Sequence, residues 1–213
     1  MYTPLIQRTL TFSVLLTLFI MLSYLPSIIF SGVLFTILLY ILWYEWPPLC
    51  PYAGIRAALI TLAYPVLPFV LMIYMNEYYH NLFMGMLITV ASFDVGAYVV
   101  GSRWGKHPLL PRISPGKTGE GVVGGLLLAG IALTLLMRYY AIPYTSVFLV
   151  GATLILCTAA LIGDLFESWL KRRAGIKDSA RILPGHGGFL DRFDSHMVAI
   201  FVLYAMRKWL SPL

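Results

Sequence analysis

The chain has 213 residues, 60% hydrophobic and only 11% charged, with a mean hydropathy of +0.83. A soluble globular domain carries about 25% charged residues, so the composition excludes an ordinary water-solvated fold and points to a chain solvated largely by lipid. The net charge is +6, and the two cysteines, Cys50 and Cys157, sit in unrelated apolar or proline-flanked settings that give neither a metal spacing nor a disulfide framework.

A membrane-spanning helix needs about 20 mostly apolar residues, and most of the sequence divides into such runs, which predicts one membrane domain over 1–213: N-terminal hydrophobic helices in 1–80, and helices with the larger polar loops in 81–213. The first run, from Arg8 to about Trp46, is too long for the core of a cleaved signal peptide and has no small-residue cleavage site, so it is expected to stay in the mature protein. Ser23, Pro26 and Ser27 break it into helices over 9–24 and 27–44. A third helix is predicted over 55–75, kinked at Pro65 and Pro68, and others over 82–101, 119–137, 144–166 and 194–210. The expected fold is all-α, a polytopic bundle of about seven spans whose polar cytoplasmic loops form the active site.

Lys and Arg in short loops mark the cytoplasmic side. With the N-terminus inside, Arg8, Arg56, Arg103, Lys106, Arg112, Lys117, Lys171, Arg172, Arg173, Lys177, Arg181 and Arg192 are cytoplasmic, and only Arg138, Arg207 and Lys208 lie outside. This bias predicts an odd number of spans with both large polar loops in the cytoplasm. Trp43, Tyr44 and Trp46, Tyr78 and Tyr79, and Tyr139, Tyr140 and Tyr144 cluster at the proposed span ends, where amphipathic rings anchor at headgroup depth.

Seven of the nine acidic residues follow position 90, which makes the C-terminal half the chemical half. Asp94 falls inside a span, and Asp164 and Glu167 close another. An ionisable group in hydrocarbon costs at least a few kcal/mol, roughly, unless it is paired or faces a wet cavity. Asp94 could discharge that cost as a packing carboxylate paired with Arg or backbone. Asp164, Glu167 and Ser168 are spaced i, i+3, i+4 and share a helix face, and Asp191, Asp194 and Ser195 repeat the spacing at the start of the last helix. Two oxygen-rich faces suit Mg2+, which takes oxygen ligands and keeps waters for substrate phosphates to replace. For Asp191 and Asp194 the plainer alternative is capping of the helix N-terminus.

Between these acids runs a cationic loop, Lys171-Arg172-Arg173 through Lys177-Asp178 to Arg181, followed by Pro184-Gly185-His186-Gly187-Gly188, whose glycines allow close backbone approach to a phosphate. His186, inside that turn, is the one histidine with a functional expectation; His80, His107 and His196 have no consistent ligand spacing. A second loop, Gly101 to Gly121, sets Arg103, Lys106, Ser114, Lys117 and Thr118 among glycines without the P-loop spacing. Gly121, Gly124, Gly125 and Gly130 read as small residues for close helix packing.

The stretch Ser168 to Asp194, SWLKRRAGIKDSARILPGHGGFLDRFD, resembles the C-terminal signature of the phosphatidate cytidylyltransferase (CDP-diacylglycerol synthase) family. Asp94-Val-Gly-Ala-Tyr-Val-Val-Gly-Ser-Arg103-Trp-Gly-Lys106 and Ser114-Pro-Gly-Lys117-Thr118-Gly-Glu120-Gly121 are similar to two further family segments, so the resemblance covers about residues 90–200; the N-terminal part resembles the family only in being hydrophobic. The resemblance implies a multi-pass, often dimeric, divalent-metal enzyme of the bacterial inner membrane, its site facing the cytoplasm, that converts CTP and phosphatidate to CDP-diacylglycerol and diphosphate. Asp164 and Asp191 match the metal-site acids, with Ser168 and Asp194 in the same motif and Glu167 beside them. Lys117, Lys171 and Arg172 match basic positions expected near phosphates, with Asp164, Asp191, Asp194, Lys171 and Arg172 forming the catalytic set. Asp94, Arg103, Lys106, Ser114, Thr118, Glu120, Lys177, Asp178, His186, Gly187, Gly188 and Arg192 are expected around the substrates. Mg2+ is the expected cation, with a second K+ or Mg2+ as an option; the partners are membrane lipid and the two substrates, and no nucleic acid is expected. Alternative readings are a CTP-dependent polyprenol or phytol kinase, a CDP-archaeol synthase, and, less well matched, a transporter.

Overall fold

The structure, a computed structural model, describes residues 4–180, 182 and 187–210. Its elements in chain order are α1 (Pro4–Tyr24), α2 (Ser27–Glu45), α3 (Gly54–Tyr78), α4 (His80–Trp104), the strands β1 (Pro108–Leu110) and β2 (Ser114–Thr118), α5 (Gly119–Tyr139), α6 (Ser146–Arg173) and α7 (Leu190–Leu210). Helix is the only regular solution for long apolar runs in lipid, because each backbone N–H and C=O must be satisfied within its own segment. Among the described residues five helices, α2 to α6, are long and apolar enough to cross a membrane. The other two of the seven expected spans fall outside that set. The apolar part of α1, Ser13–Tyr24, reaches only about 18 Å at 1.5 Å per residue, and α7 starts with Asp191 and ends with Arg207 and Lys208.

The chain forms two compact units, residues 1–80 with 170–194, and residues 81–169 with 195–213. The division does not follow chain order: the end of the cationic helix, the loop after it and the first turn of α7 pack with the N-terminal helices.

In the first unit α2 packs on α3, burying Leu34 and Leu38 of the one and Phe69, Met72 and Met75 of the other. Phe69 also meets Phe193, with ring centroids 5.1 Å apart. At one end of this pair Asn76 Nδ2 donates to Ser27 O and Ser31 Oγ, each at 2.9 Å, and Glu77 accepts from the hydroxyls of Ser27 and Ser31. Polar side chains bonded between helices are the membrane counterpart of a core lock. Of the two expected kinks in α3, the break falls at Pro65, where Tyr64 leaves helical geometry (φ −157°, ψ 113°). Pro68 sits in the first turn of the helix that follows, where its missing N–H costs nothing. Trp43 and Tyr44 are exposed, as anchors should be, but Trp46 is buried and its indole N–H donates to Thr61 Oγ1 at 2.7 Å, so it is a core residue.

In the second unit α4 and α5 touch backbone to backbone. A Cβ on Gly96 would lie 2.6 Å from Gly124 O, and one on Gly125 would lie 2.6 Å from Phe93 Cδ2, so these glycines serve helix packing as their spacing suggests. Gly96→Ala should therefore lower stability by about 1–3 kcal/mol through overpacking. Gly151→Ala, where nothing lies within 4 Å, is the matched control; thermal unfolding in detergent should separate the two, and equal melting temperatures would refute the close-packing account.

The segment expected to be a loop before α5 is an antiparallel hairpin, pairing Pro108 with Thr118 and Leu110 with Ser114. Proline and glycine are depleted in strands, and Pro108, Pro111, Pro115 and Gly116 hide so short a ladder from any reading of alternation.

Candidate functional site

The polar residues singled out from the sequence gather in two centres, one in each unit.

The centre of the first unit forms where α6 ends and α7 begins. Gly175, at φ +72°, stops α6 in a left-handed turn, with Ile176 N donating to Lys171 O and Gly175 N to Arg172 O, a Schellman closure. That stop leaves Lys171 on the last turn, where its Nζ donates to Asp191 Oδ1 at 2.7 Å; both side chains are nearly inaccessible, at 11% and 5% exposure. The other oxygen, Asp191 Oδ2, accepts Gly188 N at 2.8 Å, Ser179 N at 3.0 Å and lies 3.0 Å from Ser179 Oγ. Burial pushes the Asp191 carboxyl up, but the Gly188 amide, the Lys171 ammonium and the Ser179 amide outweigh it and hold it below the ordinary carboxylate range. Gly187 takes φ +80°, and Gly188 has no room for a side chain, since a Cβ there would fall 2.6 Å from Glu45 Oε2.

Glu45 was not singled out by the sequence. It is fully buried and accepts three bonds: Leu190 N at 2.7 Å, Phe189 N at 2.8 Å and Ser179 Oγ at 2.8 Å. The signal that could have found it is the one applied to Asp164 and Glu167, an acid at the end of a long apolar run; a position next to Trp46 and Pro47 made it look like a span boundary. Asp194 is buried, while Arg172, Lys177, Asp178 and Arg192 are exposed. Arg172 Nη1 donates to Ile176 O, and Arg173 lies over the Tyr52 ring at 5.3 Å. Arg181 and His186 lie outside the described residues.

The centre of the second unit joins β2 to α6. Lys117 Nζ pairs with Asp164 Oδ2, and Ser168 Oγ donates to Asp164 Oδ1 at 3.4 Å, the i, i+4 contact expected of that face. Asp164 and Lys117 keep about a fifth of their side-chain surface open, at 23% and 21%, enough for a substrate oxygen to reach either. Glu167 is buried. Thr118 and Glu120 have structural tasks: Thr118 Oγ1 caps α5 by accepting Gly121 N, and Glu120 accepts Lys106 N, His107 N and His107 Nδ1, tying the start of the hairpin to α5. Ser114 is half-buried in β2, Arg103 and Lys106 are exposed at the end of α4, and Asp94 is half-buried within it.

Each centre thus holds a carboxylate against a lysine ammonium, with backbone N–H groups or hydroxyls on the remaining oxygens. Carboxylate oxygens are the ligand type that hard cations take, and ammonium groups the type that phosphate oxygens take.

The sequence pattern of the cytidylyltransferase family matches residues 7–210. The chain is 47% identical over 129 residues to a phosphatidate cytidylyltransferase of Staphylococcus aureus strain COL, an alignment covering 60% of this chain and 49% of that protein. It is 45% identical over 117 residues to the protein of that name from Bacillus subtilis strain 168, covering 55% and 44%. It is 40% identical over 166 residues to that of Mycobacterium leprae strain TN, covering 75% and 52%. The chain thus spans about half the length of the curated relatives it matches. With nearly the whole chain inside the family pattern, this protein belongs to the cytidylyltransferase family.

Proposed function

We propose that this protein is a phosphatidate cytidylyltransferase, transferring CMP from CTP to phosphatidate to give CDP-diacylglycerol and diphosphate. The observation that carries the reading is the family match over residues 7–210; the two lysine–carboxylate centres supply chemistry suited to it. A phosphatidate oxygen attacks the α-phosphorus of CTP, a new P–O bond forms, and the α–β bridging bond breaks to release diphosphate. The attacking phosphate is already ionised near neutral pH, so no side chain need take its proton. The obstacle is repulsion between two polyanions. In each centre a cation is suited to bind phosphate oxygens and offset negative charge: Lys117 in one, Lys171 in the other, with Arg172 exposed on the last turn of α6.

Mg2+ fits the donor chemistry. Among the described residues no group of three or more His, Cys, Asp or Glu stands ready as a complete cage, and Mg2+ is ordinarily held by one or two carboxylates with substrate phosphates and waters completing its shell. Asp164 and Ser168 are the candidate donors in one unit, Asp191 and Asp194 in the other. Bound there, the ion would supply Lewis-acid polarisation of phosphoryl oxygens.

The excess of Lys and Arg in the hairpin and the loop after α6 supports a cytoplasmic face for the chemistry. The reading further takes the chain as a multi-pass protein of the bacterial inner membrane, with α1 and residues 194–210 of α7 completing seven spans and Asp191 left outside the bilayer. Phosphatidate then keeps its acyl chains in the bilayer while its headgroup meets soluble CTP.

The test is product identity. Purified protein in nanodiscs, given phosphatidate, Mg2+ and CTP labelled at the α- or γ-phosphate, is expected to put the α-label on lipid and release diphosphate in equal amount. A γ-label on lipid with CDP release would indicate a kinase, and no lipid label from inserted, stable protein would overturn the reading.

A further inference from the structure

The proposed chemistry uses Asp191, but nothing in it explains the buried acid behind that residue. A helix start leaves its first N–H groups without intrahelical partners, and the usual remedy is a Ser, Thr, Asn or Asp side chain at the N-cap. In α7 the residue before the helix is Phe189, whose carbonyl accepts Arg192 N and Phe193 N but whose side chain has no acceptor to offer. The acceptor comes instead from Glu45, 144 positions earlier in the chain: its Oε1 takes Phe189 N at 2.8 Å and its Oε2 takes Leu190 N at 2.7 Å. A carboxylate at this place also answers the partial positive charge of the helix N-terminus. Delivery depends on backbone geometry, because the last turn of α2, Ile41–Glu45, is π-helical, a widened turn common at functional sites.

Glu45 and Asp191 are also joined directly. Ser179 Oγ lies 2.8 Å from Glu45 Oε2 and 3.0 Å from Asp191 Oδ2. A hydroxyl has a single proton, so it serves one carboxylate at a time and ties the position of each to the other. Gly188 completes the link, donating its N–H to Asp191 while its missing side chain leaves space for Glu45.

We propose that Glu45 is a positioning residue for the CMP-transfer reaction: from the end of α2 it holds the first turn of α7 and Ser179, and through them sets the orientation of Asp191. The inference rests on the functional reading above. It gives the N-terminal helices, in which the sequence shows no polar motif, a part in positioning the reacting groups.

Glu45→Gln keeps the side chain's length and removes its charge, and Ser179→Ala cuts the hydroxyl link between Glu45 and Asp191 while leaving the Phe189 and Leu190 amides their carboxylate acceptor. In nanodiscs kcat for CMP-lipid formation should fall at least tenfold in both, with KM for CTP within threefold of wild type. Backbone amide hydrogen exchange at Phe189 and Leu190 should quicken at least tenfold in Glu45→Gln and change little in Ser179→Ala. Quickened exchange with unchanged kcat would reduce Glu45 to a helix cap and overturn the proposal; unchanged exchange in Glu45→Gln would overturn its geometric basis. If wild-type protein itself makes no CMP-lipid, the functional reading falls and the catalytic part of this proposal with it, while the exchange rates still decide whether Glu45 holds α7.

Discussion

Asp164→Asn is expected to lower CMP transfer about a hundredfold to a thousandfold, because the carboxylate that would hold a cation against the phosphates is gone and losing one group that offsets developing charge costs about that much, while the protein stays folded and inserted. Asparagine keeps the size of the side chain and can still accept from Ser168, 3.4 Å away, so little packing is lost. What disappears is the negative charge that pairs with Lys117 and that a cation would need. Because both side chains keep about a fifth of their surface open, solvent relieves the lysine left behind and the expected change in melting temperature is small. Lys117→Met should behave differently: with a phosphate-binding cation gone and Asp164 intact, the rise in KM for CTP should exceed the fall in kcat. The assignment of this centre is wrong if Asp164→Asn turns over within threefold of wild type, or if its loss of activity follows loss of fold in a melting experiment.

That centre was the legible one. Asp164 and Ser168 are four residues apart in a long apolar run, so helical geometry alone puts them on one face, and the run itself predicts the helix. The partner, Lys117, was visible as a lysine among glycines and as a basic position in the family resemblance, but not as the partner of Asp164, because the hairpin that carries it is built from residues that rarely form strands. The apolar runs likewise located α2 to α6 to within a few residues at most ends. What periodicity could not show is pairing over distance. Glu45 and Ser179 are 134 positions apart, and no local pattern connects an acid beside Trp46 to a serine within a cationic loop. The grouping of residues 170–194 with the N-terminal helices was hidden for the same reason, as was the inward turn of Trp46, since an aromatic residue at the end of an apolar run reads equally as anchor or core.

Breaking the Lys171–Asp191 pair should have the largest effect on stability, and the two ways of breaking it should differ. Removing one member of a buried ion pair costs about 3–5 kcal/mol, because the other is left charged and uncompensated. Lys171→Met should fall toward the lower end, since Asp191 keeps the Gly188 and Ser179 amides as donors and shares the Ser179 hydroxyl with Glu45. Asp191→Ala strands the ammonium together with Gly188 N and Ser179 N, each unsatisfied buried donor adding about 1–3 kcal/mol, while the Ser179 hydroxyl still has Glu45 to donate to; it should be the more damaging. Acid sensitivity supplies an independent check. The Asp191 carboxyl is held below its ordinary value in the folded protein, so its contribution is fully present above its unfolded pKa of about 3.9. It is lost as pH falls through the lower folded value. Without Lys171 one of the groups depressing that value is gone, burial counts for more, and the acid transition should move to higher pH. Melting temperatures of wild type and Lys171→Met in nanodiscs across the acid range measure this directly: the variant should begin to lose stability at a pH where wild type is still flat, and superimposable profiles would mean that the ammonium is not what keeps Asp191 ionised.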